Sequence, residues 1–255
     1  MKKPLVLLTN DDGIFAPGLY ALHQAISEVA EVAVVAPDTE RSAAGHAITI
    51  ANPLRVSSFE KNGSFFGHAV NGTPADCVKI AYYSILERKP DAVISGINFG
   101  SNTGINVLYS GTVSAATEAN ILGIPSFAVS LTTYTNPNFK PAADFSVRLL
   151  RHILENKLPE GTFLNVNVPN VAHESELAGV KVTRQGKSKY KDNYDRRTDP
   201  RKHVYYWLTG YKLDADEDDD VDDVAISKGY ISVTPLQYDM TAYETLDTLK
   251  KWTFD

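Results

Sequence analysis

The chain has 255 residues, 43% apolar and 22% charged, which suits one large globular domain at the about 100–200 residues typical of domains. This composition excludes wholesale disorder and fibrous repeats, and a single cysteine, Cys77, excludes an intramolecular disulfide or a multi-cysteine zinc site. No apolar run approaches the roughly 18–20 residues of a membrane helix. The N-terminal apolar stretch ends at Leu8, too soon for a signal-peptide core, so a soluble cytoplasmic protein with no membrane partner is expected.

The net charge of −6 is unevenly spread. Eight acids fall between Asp214 and Asp223, leaving 23 acids against 25 bases elsewhere, a remainder of +2. Residues 181–203 hold nine Lys or Arg against three Asp. Adjacent basic and acidic stretches read as a solvated or mutually pairing projection rather than a nucleic-acid arm, so no nucleic-acid polymer is expected as partner.

Residues 4–9 (PLVLLT) are almost continuously apolar, as in a strand covered on both faces. Leu19, Leu22, Ile26 and Val29 then recur at helical spacing behind Pro17. Residues 31–36 (EVAVVA) form a second strand closed by Pro37, and weaker strand patterns follow at 54–59 and 64–70. Thr73-Pro74-Ala75-Asp76 reads as a helix start, with Thr73 as cap and Asp76 at the third helical position. That helix is expected to reach about Leu86. A buried strand at 91–95 (DAVIS) leads into a loop rich in glycine and asparagine.

Further on, the pattern predicts a helix over 112–122 capped by Gly123, a strand over 124–131, an amphipathic helix over 141–155 and a strand over 163–168. This alternation implies βαβ units: an α/β fold in three layers, with a mainly parallel, Rossmann-like sheet and helices on both faces. After Val182 the pattern changes, and residues 229–235 (GYISVTP) return as a strand. We therefore expect a catalytic core over 1–185, an extended arm or β-hairpin over 186–232, and a C-terminal segment over 233–255 that returns to the core or to a partner subunit.

In open parallel sheets, ligands gather where the strands end. The first strand ends in Asn10-Asp11-Asp12-Gly13. Adjacent carboxylates at a buried strand end repel one another and are costly to desolvate without a cation. They point to a hard divalent ion, Mg²⁺ or Mn²⁺, or else to a polar turn in which one Asp caps the next helix. After the DAVIS strand, Asn98 is the best additional oxygen ligand. Tyr109-Ser110-Gly111-Thr112 opens a helix whose free N–H groups suit an anion; the alternative is Thr112 as a plain cap. The sequence lacks GxGxxG after the first strand, GxxxxGK[ST], GxSxG and HExxH, which tells against dinucleotide, P-loop, α/β-hydrolase and zinc-hydrolase chemistry. Oxygen ligands beside an anion cradle point to metal-assisted phosphate chemistry.

Asn10-Asp11-Asp12-Gly13, Asn71-Gly72-Thr73-Pro74-Ala75-Asp76-Cys77-Val78, Ser95-Gly96-Ile97-Asn98 and Tyr109-Ser110-Gly111-Thr112-Val113, in this order, resemble the SurE family of stationary-phase survival proteins with 5′/3′-nucleotidase activity. The resemblance runs on through Thr234-Pro235-Leu236 and Asp239-Met240-Thr241. It implies a phosphomonoesterase for nucleoside monophosphates, with short polyphosphate as a further substrate, and one divalent metal ion per subunit. It puts the metal ligands on Asp11, Asp12, Ser42 and Asn98. Phosphate contacts fall on Ser110, Gly111 and Thr112, with Asn98 shared, and Asp11 and Asp12 are the catalytic carboxylates. It also implies a homodimer or homotetramer in which the C-terminal portion is exchanged or extended between subunits. The chain departs from the family pattern at Ala43, Asn106 and Ser114. A mononucleotide-binding regulatory module without turnover is the alternative function.

Overall fold

A computed structural model of the chain describes residues 3–213 and 218–254. The strands, in chain order, are β1 (Leu5–Thr9), β2 (Glu31–Pro37), β3 (Val56–Lys61), β4 (Ser64–Val70), β5 (Ala92–Phe99), β6 (Ser126–Thr132), β7 (Thr162–Pro169), β8 (Gly179–Val182), β9 (Lys189–Thr198), β10 (Val204–Leu213) and β11 (Tyr230–Gln237). The helices are α1 (Pro17–Ser27), α2 (Pro74–Ile80), α3 (Gly111–Ile121), α4 (Lys140–Asn156), α5 (Asp222–Ser227) and α6 (Tyr243–Leu249).

Nine strands form one sheet in the order β3-β4-β2-β1-β5-β6-β7-β11-β8. The run from β4 to β7 is parallel throughout. The edges depart from this, with β3 antiparallel to β4 and β11 antiparallel to β7. Alternate side chains of the central strands feed two separate cores, as the pleat requires. Val6, Leu8 and Ile94 pack with α1 and α4 through Leu19, Leu22, Phe145 and Leu150. Leu7 and Val93 pack with α2 and α3 through Cys77, Val78, Ala115 and Ala119. The expected three-layer α/β fold is therefore present, and β9 with β10 forms a separate two-stranded antiparallel hairpin.

Two elements differ from the sequence expectation, and a third takes a direction that the pattern left open. The helix begun by Thr73 ends as an α-helix at Ile80 and widens into a π-turn over Ala81–Ile85, which keeps Ala81 buried while Tyr83 faces solvent. β5 continues past Ser95 to Phe99, with a register shift against β6 between Ser95 and Asn98. The last strand, β11, lies antiparallel to β7, and β8 pairs outside it. Beyond β11, α6 has no buried residue. Asp214, Asp216 and Glu217 of the acidic stretch lie outside the described residues. No helix among the described residues is long and apolar enough to cross a membrane.

Candidate active site

Asp11 and Asp12 leave the end of β1 at the centre of the sheet. The chain turns there at Gly13, whose φ of +94° disfavours an L side chain, and where a Cβ would stand 3.2 Å from the Thr39 backbone. Asp11 is buried against the start of α3: the Thr112 hydroxyl donates to its Oδ1, and the Thr112 N–H also stabilises the carboxylate. Gly111 makes this approach possible, because a Cβ there would come within 2.8 Å of Asp11 Cβ and 3.0 Å of its Oδ2. Asp12 turns to the other side, toward the end of β5, where its Oδ2 accepts the Phe99 N–H at 3.2 Å. Asn98 precedes this residue and gives its amide N–H to the Gly100 carbonyl at 2.7 Å, which leaves its amide oxygen as the remaining ligating atom.

The electrostatics of the pair fit a bound cation. Burial pushes the Asp11 carboxyl up, against the opposing hydrogen bonds from Thr112. Burial, then repulsion from Asp11, pushes Asp12 up to about 7. Glu40 adds further negative charge to both. No Lys, Arg or His pairs with either carboxylate among the described residues. Neighbouring Asn10 leaves its buried Oδ1 without a hydrogen-bond partner. Two like charges in such a setting are costly unless something positive answers them. No cluster of three or more His, Cys, Asp or Glu among the described residues could hold a metal. A cation held here would meet two carboxylates and neutral oxygens, a donor set that suits Mg²⁺ or Mn²⁺ better than zinc.

The remaining predicted residues are placed less uniformly. Arg41 N–H donates to the Asp11 carbonyl at 2.7 Å, so the chain beside Ser42 is tied to the pair. The Ser42 hydroxyl itself is exposed and donates to Glu40 Oε1 at 2.5 Å. Ser110 caps α3, its hydroxyl oxygen accepting the Val113 N–H at 3.1 Å. Asp11, Gly111 and Thr112 thus come together directly, Asp12 meets the backbone of Phe99 next to Asn98, and Ser42 follows Arg41, whose N–H is tied to Asp11.

Sequence reasoning missed several polar groups around this centre. Glu40 acts on both carboxylates, and Glu118 on α3 is buried between His46 at 2.8 Å and Lys79 at 2.8 Å. Asp222 and Asp223, taken as part of a solvated acidic projection, are buried and half-buried: Asp222 accepts the Gly104 N–H at 3.0 Å in the loop that runs from Asn98 to Ser110. Only the spacing of charges hinted at them. A cavity of about 370 Å³ lined by Thr162, Thr183, Arg184 and Gln237 lies at the opposite end of the sheet, where β7 begins, and is separate from the carboxylates.

A family model described as "Survival protein SurE" matches residues 6–192. The chain is 55% identical to the 5′-nucleotidase SurE of Syntrophobacter fumaroxidans over 97% of this chain and 98% of that protein. It is 51% identical to the 5′-nucleotidase SurE of Syntrophus aciditrophicus, over 96% of this chain and 92% of the other. Its structure superposes on that of the SurE protein from Aquifex aeolicus with a TM-score of 0.83 at 42% identity, covering 97% of this chain and 98% of that one.

Proposed function

The chain belongs to the SurE family, and on that premise we propose that it is a cytoplasmic, divalent-metal-dependent 5′/3′-nucleotidase that removes phosphate from nucleoside monophosphates and short polyphosphate. The observation that carries this reading is the Asp11-Asp12 pair, two carboxylates with no cationic side chain among the described residues to answer them, set against the start of α3. The nucleotidase names of the relatives support the substrate class.

In this reading Asp11, Asp12, Asn98 and Ser42 would hold one Mg²⁺ or Mn²⁺, and the chemistry that ion supplies when bound is polarisation of a phosphoryl oxygen. At the start of α3 the Thr112, Val113 and Ser114 N–H groups are already taken by Asp11 and Ser110, so the Gly111 N–H, with the Ser110 hydroxyl and the Asn98 amide, would receive the oxygens of the transferred phosphoryl group. Thr112 has a prior commitment to Asp11, so its contribution is to fix that carboxylate as much as to bind phosphate. Asp12 carries a single backbone hydrogen bond, from Phe99, and is the carboxylate suited to orient water or take its proton. The exposed apolar side chains of the hairpin (Tyr206, Trp207, Leu208) and of the C-terminal segment (Tyr243, Trp252, Phe254) support assembly into a homodimer or homotetramer.

Phosphate release from AMP and GMP with Mn²⁺, repeated after EDTA, tests the activity. Release that EDTA abolishes is expected. Binding of AMP with no release under any divalent metal would favour the regulatory module, and release indifferent to EDTA would remove the metal. Light scattering on the eluting protein tests the assembly, with a monomer as the contrary result.

A further inference from the structure

Residues 38–55, between β2 and β3, carry no regular secondary structure, and unstructured loops longer than about 12–15 residues inside a compact domain are usually functional. This loop bears Ser42. It is held beside the candidate site by backbone bonds at two points, Arg41 N–H to the Asp11 carbonyl at 2.7 Å and Gly45 N–H to the Tyr109 carbonyl at 2.9 Å. The second of these lands immediately before the α3 cap.

Side chains fasten the same stretch from below. Thr49 donates both its N–H (2.9 Å) and its hydroxyl (2.6 Å) to the buried carboxylate of Asp76. The Thr73 hydroxyl donates to the Ala47 carbonyl at 2.7 Å. Next to Gly45, His46 Nε2 meets Glu118 Oε2 at 2.8 Å, while Lys79 meets the other oxygen, Oε1, at 2.8 Å. Burial alone would raise the Glu118 carboxyl, but the bonds from His46 and Lys79 outweigh it and hold it below the usual glutamate range. An ionised Glu118 accepts from both. Lys79 alone would suffice to tie α2 to α3. The second oxygen is given to the loop.

We propose that Glu118 is a positioning residue of the candidate site: through His46 its buried carboxylate fixes the Ser42 loop against Asp11 and the start of α3. The proposal rests on the metal-dependent reading above for its consequence, and on geometry alone for the clamp.

The test uses the full chain as parent, His46→Ala, Glu118→Gln and the double variant, with three readouts: a Mn²⁺ binding isotherm, amide hydrogen exchange over residues 41–49, and AMP hydrolysis. For His46→Ala, Mn²⁺ affinity is expected to fall and KM for AMP to rise about tenfold, the lower end for residues that orient ligands from behind. The Gly45 and Thr49 amides should exchange faster, Tm should stay within about 3 °C, and kcat at saturating Mn²⁺ should stay within about twofold, a split that mere loss of fold would not give. The double variant should be no worse than the more affected single one. Unchanged exchange over 41–49 in His46→Ala, or additive effects in the double variant, would overturn the clamp. If Glu118→Gln does not fold, His46→Ala alone decides. If the parent releases no phosphate, the nucleotidase reading fails while hydrogen exchange still settles the clamp.

Discussion

Asp11-Asp12 and Asp222-Asp223 are the same dipeptide in opposite surroundings. Asp222 is fully buried, yet its carboxylate accepts the N–H groups of Gly104 (3.0 Å), Gly186 (3.0 Å) and Asp223 (2.8 Å). Asp223 is paired with Lys212 and with the Ser188 hydroxyl, and although burial would raise it, these bonds hold it below the usual aspartate range. The fold supplies the donors, and the pair fastens the feet of the hairpin to the loop between Asn98 and Ser110. Burial pushes the Asp222 carboxyl up as well, but it is met by three N–H groups and its neighbour by a cation. At Asp11-Asp12 the donors are fewer, no cationic side chain among the described residues pairs with either, and both carboxyls are pushed up. An acidic pair that its own fold satisfies is a fastening. One left with a deficit is where an external cation is to be expected.

The difference is sharpest under substitution. Asp12→Asn should lower metal-dependent phosphate release by about a thousandfold or more, since it removes a ligand and a proton acceptor together. In EDTA, however, it should leave the fold as stable as the parent or more so. Turnover and urea unfolding of the same preparation check both halves, and near-normal turnover would take Asp12 out of the mechanism. Asp222→Ala should do the reverse. It strands three buried N–H donors, at about 1 kcal/mol or more each, so unfolding in urea should show a loss of about 3 kcal/mol. Any effect on phosphate release should follow from the displaced loop at Gly104.

These two pairs also mark how far the sequence could be read. The parallel core was legible because strands buried on both faces leave continuous apolar runs. Asp11 and Asp12 stand out as candidates because they follow such a run, Asn98 because it lies just past the DAVIS run, and Ser110 because it opens a helix. The direction of β11 was not, since GYISVTP has the same pattern whether it pairs parallel or antiparallel. The roles of Asp222 and Glu118 were hidden for another reason. Their partners lie 118 and 72 residues away in sequence, at Gly104 and His46, and no local pattern carries such a contact. Ser42 came only from the family resemblance, and its hydroxyl sits on Glu40. The acidic stretch reads in the sequence as a solvated or mutually pairing projection; Arg184 does meet Asp218 and Asp220 at 2.5 and 3.1 Å, but Asp222 and Asp223 turn inward.

Titration separates Asp12 from Asp223 by sign. A carboxyl whose folded pKa is raised favours the fold in its protonated form, so Asp12 contributes most below its ordinary 3.8 and loses that contribution as pH rises through about 7. Metal-free protein should therefore lose about 2 kcal/mol between pH 5 and pH 8, after allowance for solvent screening, and Asp12→Asn should flatten the curve. A flat parent curve in EDTA would mean that the pair carries no electrostatic deficit.

Asp223 gives the smallest and opposite effect. Its folded pKa is lowered, so the stability it contributes is present above the ordinary 3.8 and is lost as pH falls through the folded value. Much of that lowering comes from Lys212, whose ammonium stem rises from β10 and is mostly covered. Lys212→Met keeps the stem and removes the charge. Asp223 then retains its bonds from Ser188 and Thr103, so the loss at pH 7 should be only about 1 kcal/mol. At about pH 3 the difference between parent and variant should shrink, because protonated Asp223 has little to gain from a cation. Urea unfolding at both pH values measures this. A difference that persists undiminished in acid would mean that Lys212 holds the hairpin by packing its stem, and that charge satisfaction is not what fastens this second pair.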